Sequence, residues 1–213
     1  MEEDMSYLRI ITVAMLGLTL SACASVETAT RNAPLETPAL RAAAVPLDVQ
    51  QIRVTVPKSL KVSEANSYYP MGDIVWREDR PGDRHAQVKS IVETALARGV
   101  GDGVPGGMPA VLDVQVTRFH ALSEKARYTI GGMHSIHFTI TLRNPETGAP
   151  YGPTKPVKAS FKAYGGQAAV AAEQRGITQK VRITDHLAKV IRGELGLPPR
   201  AETDLVAALS LTE

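Results

Sequence analysis

From Gln51 the chain alternates apolar and polar positions. Ile52, Val54 and Val56 share one face, Arg53 and Thr55 the other, and Pro57 ends the predicted strand. A short extended run follows at Leu60 to Val62, and Glu64 to Asp83 reads as a long irregular loop. The period then changes. Val88, Ile91, Val92, Ala95 and Leu96 fall at i, i+3, i+4, i+7 and i+8, one apolar helical stripe. Asp83 can cap the start of that helix and Gly99 is expected to stop it. Gly99 to Pro109 is glycine-rich but has no Gly-Lys-Ser/Thr ending, so it reads as a solvent-exposed connection rather than a phosphate loop.

Period two returns in three successive runs. Leu112, Val114 and Val116 alternate with polar residues, as do Ile136, Phe138, Ile140 and Leu142. Asn144-Pro145-Glu146-Thr147-Gly148 then reads as a hairpin turn. The return strand is expected to place Val157, Ala159, Phe161 and Ala163 inward, with Lys158, Ser160, Lys162 and Tyr164 outward. A short alanine-rich helix at Gln167 to Glu173 precedes a final helix from about Thr178 to Glu194, whose buried stripe is Ile183, Leu187, Val190 and Ile191. Gly196-Leu197-Pro198-Pro199 terminates it, and residues 199–213 form a tail or short helix. Two apolar-striped helices can cover one face of a sheet and leave the other polar. The expected fold is therefore α+β, a two-layer sandwich with a mostly antiparallel sheet and two main helices on one face.

Ahead of this domain the pattern is different. Ile10 to Leu20 is an apolar run of eleven residues preceded by Arg9, too short for a bilayer span of ~20 residues but suited to a signal peptide. Glu2, Glu3 and Asp4 oppose the usual leader charge, so Met5 reads as the initiator. Leu20-Ser21-Ala22-Cys23 resembles the lipobox of bacterial lipoproteins, and Cys23 is the only cysteine. That resemblance implies cleavage after residue 22 and a diacylglyceryl (with palmitate-like acyl chains) anchor on Cys23. Ala24, rather than aspartate, follows the cysteine, which by the same resemblance implies the inner leaflet of the outer membrane, facing the periplasm.

The expected organisation is a signal peptide at 1–22, a lipidated cysteine and flexible tether at 23–48, one domain at 49–198 and the tail. The tether reading rests on small and polar residues with Pro34, Pro38 and Pro46. Loss of residues 1–22 leaves 23 basic and 19 acidic side chains, a net charge of +4, well short of a nucleic-acid-binding footprint. With Cys23 acylated no thiol remains for a disulfide, and stability falls to an ordinary core.

Three stretches, Ile74-Val75-Trp76-Arg77-Glu78-Asp79, Gly82-Asp83-Arg84-His85-Ala86-Gln87-Val88 and Gln179-Lys180-Val181-Arg182-Ile183-Thr184, resemble an uncharacterised family of Gram-negative envelope lipoproteins. The element order is also similar, by architecture alone, to lipopolysaccharide-assembly and ABC-transport auxiliary lipoproteins.

The chemistry is sparse. His120 and His134 share the parity of inward residues, and pairing Val116 with Phe138 would set them opposite each other, close enough to share a metal with Glu124 as a conceivable third ligand. Histidines capping the sheet edge are the simpler reading, and neither a metal nor a cofactor is expected. No Gly-x-Ser-x-Gly elbow or His-Glu-x-x-His helix occurs. Candidate partner-binding residues are Tyr68, Tyr69, Trp76 and Arg77 in the long loop, and Lys125, Arg127 and Tyr128 in the connection Ser123 to Met133. That connection is expected to be either a mobile basic loop or a twisted extension of its two strands with Gly131-Gly132 at a bulge. The functional expectation is a non-enzymatic accessory or docking subunit of an envelope assembly or transport system, with a membrane anchor and a protein partner. The alternatives are a small-ligand or lipid-binding module and a hydrolase or metal-dependent enzyme.

Overall fold

The computed structural model describes residues 46–101 and 105–198. The leader, Cys23, the tether through residue 45 and the tail from 199 lie outside the described residues. In chain order the elements are β1 (Leu47–Thr55), β2 (Ile74–Val75), α1 (Arg84–Val100), β3 (Met108–His120), α2 (Glu124–Arg127), β4 (Gly132–Arg143), β5 (Lys155–Lys158), β6 (Phe161–Ala163), α3 (Gln167–Glu173) and α4 (Gln179–Glu194).

The fold is α+β, built on an open six-stranded sheet. β3 and β4 form an antiparallel spine, with Val116 opposite Phe138 as the alternation implied. β5 and β6 pair antiparallel with successive lengths of β4. On the other edge β1 and β2 both run parallel to β3, end to end along it, so the sheet is mixed. Parallel neighbours need a crossover, and here the long loop and α1 supply it between β1 and β3.

Leu112, Val114, Val116, Ile136, Phe138 and Ile140 meet Val88, Ile91, Val92, Ala95 and Leu96 of α1 and Ile183, Leu187 and Ile191 of α4 in one core. Asp83 caps α1 by accepting from the backbone N–H groups of His85 and Ala86 at 2.9 and 3.1 Å. Thr178 caps α4 through the N–H of Val181. The chain joins the domain at Leu47, opposite Met108 where β3 begins. It leaves at Pro198, whose carbonyl accepts from Arg192, which also donates to the Gly99 carbonyl near the end of α1. Both connections therefore lie at the Met108 end of the sheet. His120 marks the other end, about 40 Å away along a 13-residue strand.

Several local expectations are corrected. β1 starts at Leu47, not Gln51; a register shift between Val49 and Gln51 leaves Gln50 extra and breaks the alternation that would have revealed the first half. Leu60 to Val62 contributes only a bridge from Val62 to Ile74, and the long loop contains β2. The return strand is split in two around Ala159 and Ser160, although the alternation of its faces is as expected. Ser123 to Met133 is neither a mobile loop nor a strand extension: Ser123 caps the single turn of α2.

Gly99 does not end α1. The helix continues to Val100, and Gly101 takes the positive φ of 74° at its C-cap. Gly99 is instead where α1 crosses α4: a Cβ there would lie 2.3 Å from Ile191 Cγ2 and 2.6 Å from the Ala188 carbonyl oxygen. Gly99→Ala should lower stability by about 1–3 kcal/mol through overpacking, several degrees in Tm. Gly193→Ala, exposed on α4 with nothing within 4 Å, should be neutral or raise it by up to about 1 kcal/mol. Thermal melts of the two variants check the contrast; equal effects would refute the crossing contact.

Candidate docking surface at the His120 end

At the His120 end α4 begins beside the chain that leaves β3, the Leu122 N–H donating to Gln179 Oε1 at 3.1 Å, and ion pairs hold the surrounding segments in place. Arg127 lies between Glu78 of the long loop, at 3.1 Å, and Glu173 of α3, with its side chain only 10% exposed. Arg84, 4% exposed, takes Glu64 through two nitrogens at 2.7 and 3.0 Å. Arg77 bridges Glu64 and Glu124. Lys180 of α4 donates to Asp79 at 2.9 Å, and Trp76 Nε1 donates to the same carboxylate at 2.8 Å.

These contacts set the carboxylate titrations. The Arg84 hydrogen bond holds Glu64 below its usual range. Burial pushes Asp79 and Glu124 up, but donation from Lys180 and Trp76 to the first, and from Arg77 to the second, outweighs it and leaves both lowered. Three segments distant in sequence are thus tied to one another and to the core.

The candidate residues separate by burial. Trp76 is fully buried, edge-on to Phe119 with ring centroids 5.9 Å apart, so it belongs to the core and not to a surface. Arg127 is likewise buried and Arg77 committed to two carboxylates. Tyr69 remains 82% exposed; Tyr68 and Tyr128 are partly exposed. Lys125 lies over the Tyr68 ring, and the Tyr128 hydroxyl donates to Glu173. Residues that sequence reasoning passed over add to the exposed apolar set, the most exposed being Met71 at 88%, Ile130 at 63% and Met133 at 52%. A large apolar side chain placed on segments otherwise rich in charge was the available signal for Met71. All of these residues stand on segments gathered at the His120 end, where His120 Nε2 contacts the Pro70 carbonyl and Ser123 Oγ donates to the Ser67 carbonyl.

The two histidines do not meet. A bulge between Val116 and Arg118 shifts the register, so that His120 stands opposite Ser135 while Phe119 turns inward. His134 is buried in the helix-covered layer, and its ring lies 4.8 Å from Phe161, which stacks on His186 at 4.1 Å. Among the described residues no group of three or more His, Cys, Asp or Glu side chains is placed to hold a metal ion. Beside His134 is a cleft of about 10 Å³, bordered by Arg127, Glu173, Gln179 and Arg182, room for one water. A larger hollow of about 420 Å³ lies on the open sheet face and is polar, lined by Arg53, Thr55, Asp113, Gln115, Thr139 and Thr141 among others.

With this geometry established, the family is clear. A model for a family of unknown function, DUF6778, matches residues 47–210, and the chain belongs to that family. No curated protein matches it. Among solved structures it is similar to a candidate lipoprotein from Caulobacter crescentus CB15, at 17% identity over 74% of this chain and 91% of that one, with a TM-score of 0.33. A Xanthomonas campestris protein of family DUF330 shares 13% identity over 72% and 91% of the two chains, TM-score 0.37. The PelC dodecamer of Paraburkholderia phytofirmans shares 16% over 72% and 95%, TM-score 0.33.

Burial, reinforced by Arg182, Arg127 and His186, pushes His134 down from 6.5 to about 3. The unfolded chain then binds the proton that the folded one refuses, so stability should fall as pH drops from about 6.5 towards 3, by up to about 1.4 kcal/mol per pH unit. Burial lowers His137 and His186 in the same direction. His134→Phe should flatten the slope between roughly pH 6.5 and 4.5 while leaving theirs. Chemical denaturation across that range checks it, and an unchanged slope would contradict the burial argument.

Proposed function

We propose that this chain is a lipid-anchored envelope protein, held through Cys23 on the inner leaflet of the outer membrane, whose domain docks an envelope partner at its His120 end. On this reading it is a non-enzymatic accessory subunit of an assembly or transport system. The observation that carries the reading is the opposition of two features. The chain from Cys23 joins the domain at Leu47, beside the start of β3, while exposed Tyr69, Met71 and Ile130 stand on segments at the far end of that strand. The connection toward the anchor occupies the Leu47 end, and the opposite end is free of it and open to protein. Exposed apolar and aromatic side chains framed by fixed ion pairs suit a partner surface. Acylation supports permanence: each buried methylene is worth about 0.8 kcal/mol, and more than one chain is needed for stable anchoring.

A second reading has one observation behind it. The 420 Å³ hollow on the open face offers threonine hydroxyls, a glutamine amide and paired Arg and Asp side chains, a lining suited to a small polar ligand rather than a lipid.

Two measurements test the leading proposal. Metabolic labelling with palmitate should mark the wild-type chain, and Cys23→Ser should abolish the label and release the protein from membranes. Tagged protein solubilised from membranes should recover a partner in fixed ratio. Met71→Glu with Ile130→Glu should reduce that recovery roughly tenfold or more without lowering Tm, since both residues are exposed. An unlabelled chain, or recovery indifferent to the two substitutions, would overturn the reading.

A further inference from the structure

β1 is the outer strand of the sheet, and among the described residues nothing pairs with its far edge. Nine residues of unpaired backbone would ordinarily be short, lysine-flanked or covered; here Leu47, Val49 and Ile52 stand along it only partly buried. Its sequence around the bulge has an unusual symmetry. The extra residue Gln50 shifts the phase of the strand, so the residues packed against the helix-side core are Val49 before it and Ile52 and Val54 after it, and Leu47 shares the parity of Val49. Asp48 before the bulge and Arg53 after it share the open face.

We propose that the far edge of β1 is self-complementary and pairs antiparallel with β1 of a second copy of this chain, about a two-fold axis between Gln50 and Gln51. In that register Leu47 meets Val54, Val49 meets Ile52, and both pairs lie on the helix side. Asp48 meets Arg53 of the second copy on the open face, twice over. An unbroken strand could not do this, because residues five apart would then lie on opposite faces. The bulge brings every pair into matching faces, with opposite charges opposed and apolar side chains joined. Within one copy Arg53 donates to Gln51 Oε1 at 3.1 and 2.9 Å and lies 3.9 Å from Asp113; its side chain is 55% exposed, so it can exchange these surface contacts for Asp48 of the second copy. The paired sheet would run continuously through both copies, in the isologous arrangement usual for homodimers. This inference rests on β1 alone; the antiparallel pairing points the two His120 ends in opposite directions along the strands and leaves both open to a partner.

The test uses the full-length chain in native membranes. Asp48→Cys combined with Arg53→Cys should give an oxidant-induced dimer, since directly opposed residues have Cα atoms about 4.5–5.5 Å apart, within disulfide reach. Either cysteine alone should not cross-link, because like positions in the two copies would be about 17 Å apart. Wild type, with only Cys23, is the control. In detergent, Asp48→Lys should weaken the dimer tenfold or more in sedimentation velocity, and adding Arg53→Glu should restore it to within a few-fold. Restoration by a second charge reversal is a readout that misfolding cannot produce. A chain monomeric at all concentrations would overturn the proposal, as would single cysteines that cross-link as well as the pair, capture of a different polypeptide at this edge, or failure of the double reversal to rescue.

Discussion

Thirteen residues of β3 run beside twelve of β4, and pairing along that length leaves each strand an outer edge longer than one neighbour covers. Two strands therefore share each edge, β1 with β2 on one side and β5 with β6 on the other. The helices cover the layer beneath, and α1 and α4 approach closely because Gly99 removes a side chain where they cross. Everything at the His120 end follows from the excess length of this spine, which continues past the first strand on each side and must be roofed by the long loop, α2 and α3.

That roof is held by charge as much as by apolar contact. Arg127 and Arg84 are buried while their carboxylates reach solvent, Glu64 to 53%, and removing those carboxylates would leave a buried guanidinium without its charge partner. They consequently fix where each segment lies. The close approach of Gly131 to Gly165, where a Cβ on the second would meet the backbone of the first at 2.2 Å, tightens the same region. With loops secured in this way, apolar side chains can be displayed outward without collapsing inward.

How much of this could be read from residues alone depends on the local period. Helices α1 and α4, the cap at Asp83 and the Val116–Phe138 register were legible because apolar spacing and capping chemistry are local properties. β2 escaped notice since two residues carry no period, and its pairing with β3 is a tertiary matter. Both strand errors had one cause: the bulges at Gln50 and between Val116 and Arg118 shift the phase, hiding the start of β1 and turning His120 away from His134. Phe119, a large apolar residue out of step with Val114 and Val116, was the overlooked sign. Among the candidate docking residues, aromatic character alone could not separate Tyr69 from Trp76. Only Trp76 has Asp79 three residues on to receive its indole N–H within the buried layer.

The chain enters at Leu47 and leaves at Pro198 on the same side of the body. A segment attached directly after Pro198 would thus start beside the one that precedes Leu47, at the pole opposite His120. Insertions near Asn144 to Gly148, a turn closed by the Asn144 side chain, would likewise project from the Met108 end. Among the described residues the pole bearing Tyr69 and Met71 is made wholly of internal segments, so whatever engages it there meets neither connection.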